Sequence, residues 1–498
     1  MDMSNMIKFT RYLMPFICVV LFLIFSIRGV STNHSFWADE TYASAIARDV
    51  VIGKSTLVQG IQLLSYQPLQ IITLATSFSL FGVSEFTARI PSVLWGAVGV
   101  FFAYILGTLL SGKRSGGFIS AFFLAFSELN LAQATQAKPY TAVETLCLIQ
   151  FTALFLLDKK PRSFLLHTII LTCITAATLY HTIGIFLFIP YAVWLVLYAR
   201  RNLHQFISFR FLVAYGICFG IIALLTPIVN QAINVVQFSR GVFPYNFISY
   251  FRELFWKQYG LFSLPAFLLL TFLFIHKKKY TTALISYLFF LTVAWNTIQY
   301  SHNIRYLVSV FGILFVCAGS FWSVALSKLF PKYASVILIG VMILFFLGGG
   351  KLVRKPSIYY SPNQDLYGDV QSADYKRAFA WIKQQYPDIE KKAFFNDLID
   401  AERYYLPEKP STALFMKGAV QPAQPHPSQP STIIYSTLDE FLKEKSRYQS
   451  GILLVEDWES FLPESIKQYA KKNMKKVARF ESLEVSPTDP WPLEVYEW

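Results

Sequence analysis

The chain has 498 residues, of which 54% are hydrophobic and only 15% are charged. Soluble proteins carry about 25% charged residues, so this composition excludes a purely soluble protein. The formal net charge of +14 comes from basic residues dispersed between apolar segments, which excludes a nucleic-acid-binding face, and we expect no nucleic-acid partner.

The first apolar segment follows Lys8 and Arg11 and ends near Val30. No small-residue cleavage site follows it, so we predict a retained transmembrane helix with a cytoplasmic N-terminus. Later apolar runs are long enough to cross a bilayer. They predict ten more spans, at residues 90–110, 116–133, 140–157, 163–180, 183–199, 209–230, 261–275, 281–299, 305–326 and 333–351.

Basic residues mark every second loop between these spans, as at 113–114 and 276–279. Such loops face the cytoplasm, and all of them can do so only if residues 31–89 stay on the external side. Segments 39–52 and 66–82 are therefore predicted as interfacial or re-entrant helices within a long external loop. The result is a polytopic α-helical membrane domain of about eleven spans over residues 1–354.

Residues 355–498 have the composition of a soluble domain, and the predicted topology places them outside, in the periplasm. Helices are predicted at 375–385, 438–445 and 459–473, with strands near 392–395, 451–455, 475–482 and 492–497 and a Pro- and Gln-rich loop at 418–431. This alternation predicts a small α/β layer fold. Asp397, Glu456 and Asp457 lie at strand ends, where α/β sites form, although solvated turn residues are commoner there. We favour acceptor recognition, or cover of the membrane cavity, as the role of this domain.

The predicted external face carries an acidic pair, Asp39 and Glu40, shortly after the first span. Alone, the pair could be a solvated first turn of an interfacial helix, favoured by the helix dipole, and basic residues nearby could be snorkelling anchors. Ionisable groups gathered at membrane depth are more often functional. A carboxylate can take a proton from an acceptor hydroxyl, and cations or a metal ion can stabilise a leaving phosphate. The other polar and aromatic candidates on this face are Arg89, Lys138, Tyr140, His181, Arg305 and Tyr306.

Several motifs in this order resemble one known family. They are the stretches 37–42 (WADETY), 66–69 (YQPL) and 81–92 (FGVSEFTARIPS), with weaker matches at 179–181 and 303–306. The chain resembles the GT-C superfamily of polyprenyl-phosphate-sugar-dependent glycosyltransferases, in particular protein O-mannosyltransferases and lipid A aminoarabinose transferases. The resemblance implies a multi-pass protein of the bacterial inner membrane, with a long first external loop.

The resemblance also implies roles for the candidates. Asp39 would be the general base and Glu40 would position the acceptor or a metal ion. His181 would meet a metal ion or the phosphate, so a divalent metal ion is a candidate cofactor. The implied reaction is inverting transfer of a sugar from a polyprenyl-phosphate donor to a protein, lipid or glycan. The residues implied in binding the donor phosphate are Arg89, Lys138, Tyr140, Arg305 and Tyr306.

A non-enzymatic alternative is a transporter or flippase for lipid-linked sugars, which also needs many spans and polar groups at membrane depth. Transporters often contain an internal repeat of spans, and none is visible in this sequence. A long external loop with an acidic pair and an external α/β domain also favour the transferase. Consumption of a labelled donor would separate the two functions.

Overall fold

The computed structural model describes most of the chain, namely residues 3–31, 35–36, 38–199, 209–225, 251–298, 304–347, 352, 373–389, 392–396, 399–407, 413–415, 424–426, 429–456, 462–482 and 492–498. Trp37 and Asn303 of the motifs, and Asp397 and Asp457 of the strand ends, lie outside these residues. The backbone of Asp39 is described, but its side chain is not.

The N-terminal part of the chain is helical. It contains short 3₁₀ segments at Thr182–Leu187 and Ile304–Leu307 and a π-helical segment at Phe251–Gln258. The α-helices are α1 (Met3–Ser31), α2 (Ala38–Val51), α3 (Leu57–Leu63), α4 (Pro68–Phe81), α5 (Glu85–Ser111), α6 (Arg114–Phe126), α7 (Glu128–Ala134), α8 (Tyr140–Leu157), α9 (Phe164–Tyr180), α10 (Phe188–Ala199), α11 (Phe209–Leu225), α12 (Gly260–Ile275), α13 (Lys279–Ile298), α14 (Val308–Leu329) and α15 (Ala334–Leu347).

Among the described residues, three helical stretches are long and apolar enough to cross a membrane: Glu85–Ser111, Tyr140–Leu157 and Arg305–Leu329. Eight shorter apolar helices accompany them. The count of eleven spans stays a prediction. The predicted continuous segment 116–133 is wrong as one helix, because α6 ends at Phe126 and Ser127 caps a separate helix, α7, by accepting a hydrogen bond from Asn130 N.

The centre of the helical part is a close packing of α5, α6, α8 and α14. Small residues allow this approach, since a Cβ atom at Gly319 of α14 would lie 2.6 Å from the backbone nitrogen of Ser120 in α6. Helices in membranes pack through such small residues because lipid offers no hydrophobic driving force for their association. The candidate residues Arg89 in α5 and Tyr140 in α8 therefore belong to closely packed helices.

Helices α2, α3 and α4 fill the long first loop, so the helices predicted at 39–52 and 66–82 are both present. Pro68 starts α4 at a position that needs no N–H donor. Gly82 ends α4 with a φ of +82°, and Ser84 then caps α5 by accepting from Thr87 N. A small core buries the apolar faces of α2 and α4 against each other, so this loop is a folded layer over the helical part.

The C-terminal part is a mixed seven-stranded sheet with flanking helices. Its helices are α16 (Tyr375–Gln385), α17 (Ile399–Tyr405), α18 (Leu438–Lys445) and α19 (Glu464–Asn473). Its strands are β1 (Ala393–Asn396), β2 (Ala413–Phe415), β3 (Gln424–His426), β4 (Gln429–Tyr435), β5 (Gly451–Glu456), β6 (Lys475–Phe480) and β7 (Leu493–Glu497), in the order β3-β4-β2-β1-β5-β7-β6.

Strands β4, β2, β1 and β5 run parallel, while β3, β7 and β6 pair antiparallel. β1 and β5 lie inside the sheet between other strands, and for this reason all of their residues are buried. The loop predicted at 418–431 is wrong in part, since β3 and the start of β4 lie within it. Pro425 is tolerated there because β3 is an edge strand, where a missing N–H breaks no ladder.

Candidate active site

A buried ion pair involves Glu40, the second carboxylate of the acidic motif. Glu40 of α2 and Arg89 of α5 are 0% and 1% exposed. Arg89 Nε donates to Glu40 Oε1 and Arg89 Nη2 donates to Glu40 Oε2, each at 3.0 Å. Such a two-pronged contact matches the planar guanidinium to the carboxylate. Both charged groups are therefore directed at each other.

Three further contacts complete this pair, and all of them involve the backbone or a ring. Ala137 N donates to Glu40 Oε1 at 2.7 Å, and Arg89 Nη2 donates to the carbonyl oxygen of Ser35 at 3.1 Å. The guanidinium also lies 5.2 Å from the ring centre of Phe36. Buried charges are stable only when they are paired and hydrogen-bonded in this way. The pair ties the first loop, α5 and the loop before α8 into one unit.

The loop at residues 135–139 is held by side chains from two other helices. Gln70 of α4 donates to the carbonyl oxygen of Ala137 at 3.1 Å, and Ser92 of α5 donates to that of Lys138 at 3.0 Å. Lys138 is only 5% exposed. The predicted site residue Lys138 thus has its backbone next to the Glu40–Arg89 pair.

A second cluster joins four of the predicted site residues. The ring centre of His181 lies 5.3 Å from that of Tyr140 and 5.8 Å from that of Tyr306. The guanidinium of Arg305 is 4.9 Å from the ring centre of Tyr306 and 6.0 Å from that of Tyr140, and it donates to the Tyr306 hydroxyl at 3.1 Å. Tyr66, 6.3 Å from His181, extends this aromatic cluster.

His181 lies in the turn between α9 and the next 3₁₀ segment, and its ring is neutral. Burial lowers the pKa of its imidazole to about 3, and the positive charge of Arg305 acts in the same direction. Its Nδ1 atom accepts the backbone N–H of Ile183 at 3.1 Å. A neutral imidazole that accepts at Nδ1 carries its proton at Nε2, so His181 offers an N–H donor to a ligand.

The same tautomer bears on the candidate metal site. A metal ion bound at Nε2 would require the proton on Nδ1, where it would face the N–H of Ile183. Among the side chains that the structure describes, no group of three or more His, Cys, Asp or Glu residues could hold a metal ion. The geometry of His181 fits a hydrogen bond to an anionic oxygen better than a metal–nitrogen bond.

The two clusters are neighbours along the chain. Ala137, at the ion pair, and Tyr140, in the aromatic cluster, are three residues apart, so their Cα atoms lie within about 11 Å of each other. Arg305 and the His181 N–H can hold an anion such as a phosphate, and the tyrosine rings can pack against a sugar. Asp39 precedes Glu40 in α2, at the edge of this region.

The sequence reasoning missed the residues that hold this arrangement. Ser35, Gln70 and Ser92 contribute polar contacts, and Ala137 contributes only its backbone. Gln70 was visible as a polar residue in an apolar run, and its carboxamide reaches a backbone carbonyl there. Backbone donors and acceptors have no residue-type signal, so the part played by Ala137 could not be found that way.

No family sequence model and no curated protein sequence matches the chain. Solved structures do. ArnT from Cupriavidus metallidurans in the apo state has a TM-score of 0.62 at 13% identity, over 98% of each chain. ArnT bound to undecaprenyl phosphate has a TM-score of 0.56 at 14% identity, over 100% of this chain and 98% of that one.

A third similar structure is the oligosaccharyltransferase AglB from Archaeoglobus fulgidus in complex with an inhibitory peptide and a dolichol-phosphate. It has a TM-score of 0.54 at 10% identity, over 89% of this chain and 70% of that one. At these identities the likeness shows the fold alone: the chain shares the fold of these ArnT and AglB structures, in agreement with the multi-pass fold that the motifs led us to expect.

Proposed function

We propose that the protein is an integral membrane glycosyltransferase that moves a sugar from a polyprenyl-phosphate donor to an acceptor on the external face. One observation carries this proposal. Residues 137–140 connect helix α2, which the Glu40–Arg89 pair holds in place, to the cluster of Arg305, His181 and two tyrosines. The fold adds support, because a similar ArnT structure holds undecaprenyl phosphate and a similar AglB structure holds a dolichol-phosphate.

In this proposal the donor phosphate binds at the aromatic cluster. The guanidinium of Arg305 and the Nε2–H of His181 donate to phosphate oxygens, and the Tyr306 and Tyr140 rings keep water away from them. Charge-assisted hydrogen bonds of this kind stabilise the negative charge that develops as the phosphate leaves. Lys138, two residues before Tyr140, adds a positive charge beside the same group.

The lipid tail of the donor has an apolar path next to this cluster. A groove of about 450 Å³ runs between α9 and α11, and Leu69 and Leu179 line it. These two residues are close in sequence to Tyr66 and His181 of the aromatic cluster. A prenyl chain in the groove would keep its phosphate at the external end of α9, beside Arg305.

Asp39 is the proposed general base. It takes the proton of the acceptor hydroxyl while that oxygen attacks the anomeric carbon, and the bond from this carbon to the phosphate oxygen breaks. The lipid phosphate leaves with the bonding electron pair, and a single displacement inverts the anomeric carbon. We assign Glu40 and Arg89 to holding α2 in place, since their charged groups face each other.

The test is consumption of labelled polyprenyl-phosphate sugars by the purified protein in vesicles made from a bacterial envelope extract, which supplies lipid, glycan and protein hydroxyl groups as acceptors. We expect consumption by the wild type, none by Asp39→Asn, and normal consumption by Asp388→Asn, which removes an exposed carboxylate of the C-terminal part. Arg305→Met should weaken binding of the lipid phosphate roughly 10- to 100-fold, as expected for the loss of charge-assisted hydrogen bonds. Arg377→Met, at an exposed position, is its control.

Two outcomes would refute the proposal. Full turnover by Asp39→Asn would remove the base, and movement of intact donor across the vesicle membrane without consumption would establish the transporter alternative.

A further inference from the structure

We propose that the C-terminal α/β part positions the catalytic helix α2, and that Arg403 and Tyr405 of α17 are its positioning residues. This inference rests on the proposed function, because it assigns a role in catalysis to contacts on α2. It gives the C-terminal part a defined task beyond covering the membrane cavity.

The first contact lies just before α2. The hydroxyl of Tyr405 accepts the backbone N–H of Phe36 at 2.8 Å and lies 3.4 Å from the Ser35 hydroxyl. Burial raises the pKa of Tyr405, so its phenol stays protonated and can donate as well as accept. The carbonyl oxygen of Ser35 also accepts a hydrogen bond from Nη2 of Arg89. Tyr405 and Arg89 therefore both bind the backbone segment of Ser35 and Phe36, which leads into α2.

The second contact lies at the other end of α2. Both Nε and Nη2 of Arg403 lie 2.8 Å from Asp49 Oδ2. Asp49 is 7% exposed and also pairs with Arg48, whose guanidinium donates to the carbonyl oxygen of Tyr404. One carboxylate of α2 is thus shared between its own helix and α17. Since this network is largely buried, water screens it little.

Weaker contacts extend the same interface. The rings of Phe36 and Tyr404 meet edge to face with centres 4.8 Å apart. Lys54 donates to the carbonyl oxygen of Pro407, and Lys376 pairs with Glu85 at the start of α5. A 14-residue helix is marginal on its own, so contacts with other elements decide where α2 lies. α17 holds it from the external side and α5 from the membrane side.

A displaced base loses much of its effect, since a misplacement of about 1 Å can slow a reaction about 100-fold. We therefore test the removal of single contacts. Tyr405→Phe deletes only the hydroxyl and should lower kcat about tenfold, the effect of one lost hydrogen bond, while KM for the donor changes less than about twofold. Tyr448→Phe is the matched control, because its hydroxyl bonds to Glu444 within the C-terminal part.

Arg403 gives a second and independent variant. Arg403→Met should lower kcat by about the same factor, and Arg403→Lys should recover most of it because the charge opposite Asp49 remains. Arg447→Met is the control, since Arg447 pairs with Glu444 away from α2. Equal kcat in Tyr405→Phe and Tyr448→Phe, or no recovery with Arg403→Lys, would overturn the proposal.

Hydrogen exchange separates this proposal from the proposed function. Tyr405→Phe should speed exchange of the amides of residues 36–51 at least tenfold, and Tyr448→Phe should leave them unchanged. A wild type that consumes no donor would refute the transferase, while faster exchange in Tyr405→Phe would still support positioning of α2 by α17. Unchanged exchange in Tyr405→Phe would refute the positioning, whatever the activity.

Discussion

The buried pair of Glu40 and Arg89 makes the sharpest prediction about stability. In Glu40→Gln the side chain keeps its shape but loses its charge. In the wild type, Glu40 Oε1 accepts hydrogen bonds from Arg89 Nε and Ala137 N, and Oε2 accepts one from Arg89 Nη2. A carboxamide has a single oxygen, so its NH₂ group must face one of these donors, and Arg89 stays buried opposite a neutral side chain.

The expected loss of stability is large. Removing one partner of a buried ion pair costs about 3–5 kcal/mol, because the remaining charge is left in a low-dielectric site. For a chain of 498 residues, with an unfolding entropy of about 2.1 cal/mol/K per residue, such a loss corresponds to a fall in melting temperature of about 3–5 °C. The matched control is Glu481→Gln, which breaks an exposed pair with Arg479. Exposed pairs contribute only about 0–1 kcal/mol, so this variant should melt close to the wild type.

The chain supplies its own reporter for the assay. Its five cysteines are free and buried, so a thiol-reactive fluorophore will label them only as the protein unfolds. Heating the purified variants in detergent with this dye gives their melting temperatures. If Glu40→Gln and Glu481→Gln melt within about 1 °C of each other, the pair does not hold α2 on α5. Adding Arg89→Gln to Glu40→Gln should recover part of the loss, since no uncompensated buried charge then remains.

Two further predictions concern stability; tryptophan fluorescence reports melting for the first, because a thiol-reactive dye reacts too slowly at pH 5, and the thiol-reactive dye reports it for the second. Because the native pKa of His181 is about 3, below about pH 6.5 the unfolded chain binds a proton that the native protein does not. The contribution of His181 to stability should therefore fall from pH 6.5 towards pH 3 by up to about 1.4 kcal/mol per pH unit and stay constant above pH 6.5. The wild type should lose more stability than His181→Gln between pH 7 and pH 5, and an equal loss would contradict a neutral imidazole. Gly312→Ala should destabilise the protein by about 1–3 kcal/mol, because its Cβ would lie 2.6 Å from Glu144 Oε1. Gly340→Ala, where a Cβ meets open space, should be neutral or stabilising, and equal melting of the two alanine variants would argue against the close packing of α8 and α14.

Local chemistry made some elements readable from the sequence. Helices α8 at 140–157 and α16 at 375–385 have the predicted bounds. A nearly continuous apolar run between Pro139 and Asp158 marks α8, and apolar positions at helical spacing mark α16. The break between α6 and α7 was missed, since the mean hydropathy of 116–133 stays high across Ser127. The cap at Ser127 depends on one hydroxyl, and averaging over a window hides one residue.

The contacts within the candidate site could not be predicted from the sequence, because they join residues that are far apart along the chain. The sequence reasoning placed Arg89 and Glu40 on one face as separate candidates, but 49 residues separate them, and no local pattern indicates that they bond to each other. The sequence predicted only that four residues of the aromatic cluster lie on the external face, and it did not predict contacts between them. These residues are Tyr140, His181, Arg305 and Tyr306. Their ring contacts of 5–6 Å arise from the packing of α8, α9 and α14, which the sequence does not display.

The position of Glu40 changes how the acidic motif should be interpreted. Neighbouring residues on an α-helix project about 100° apart, so the contacts of Glu40 do not define those of the residue before it. Glu40 takes the buried direction, where Arg89 and Ala137 N hold it. Its charge is therefore used for structure, and the chemistry of proton removal is left to Asp39 in our proposal. The same division applies to the arginines. Arg89 is engaged with Glu40 and Ser35, so in our proposal the arginine that meets the donor phosphate is Arg305, which lies among tyrosine and histidine rings.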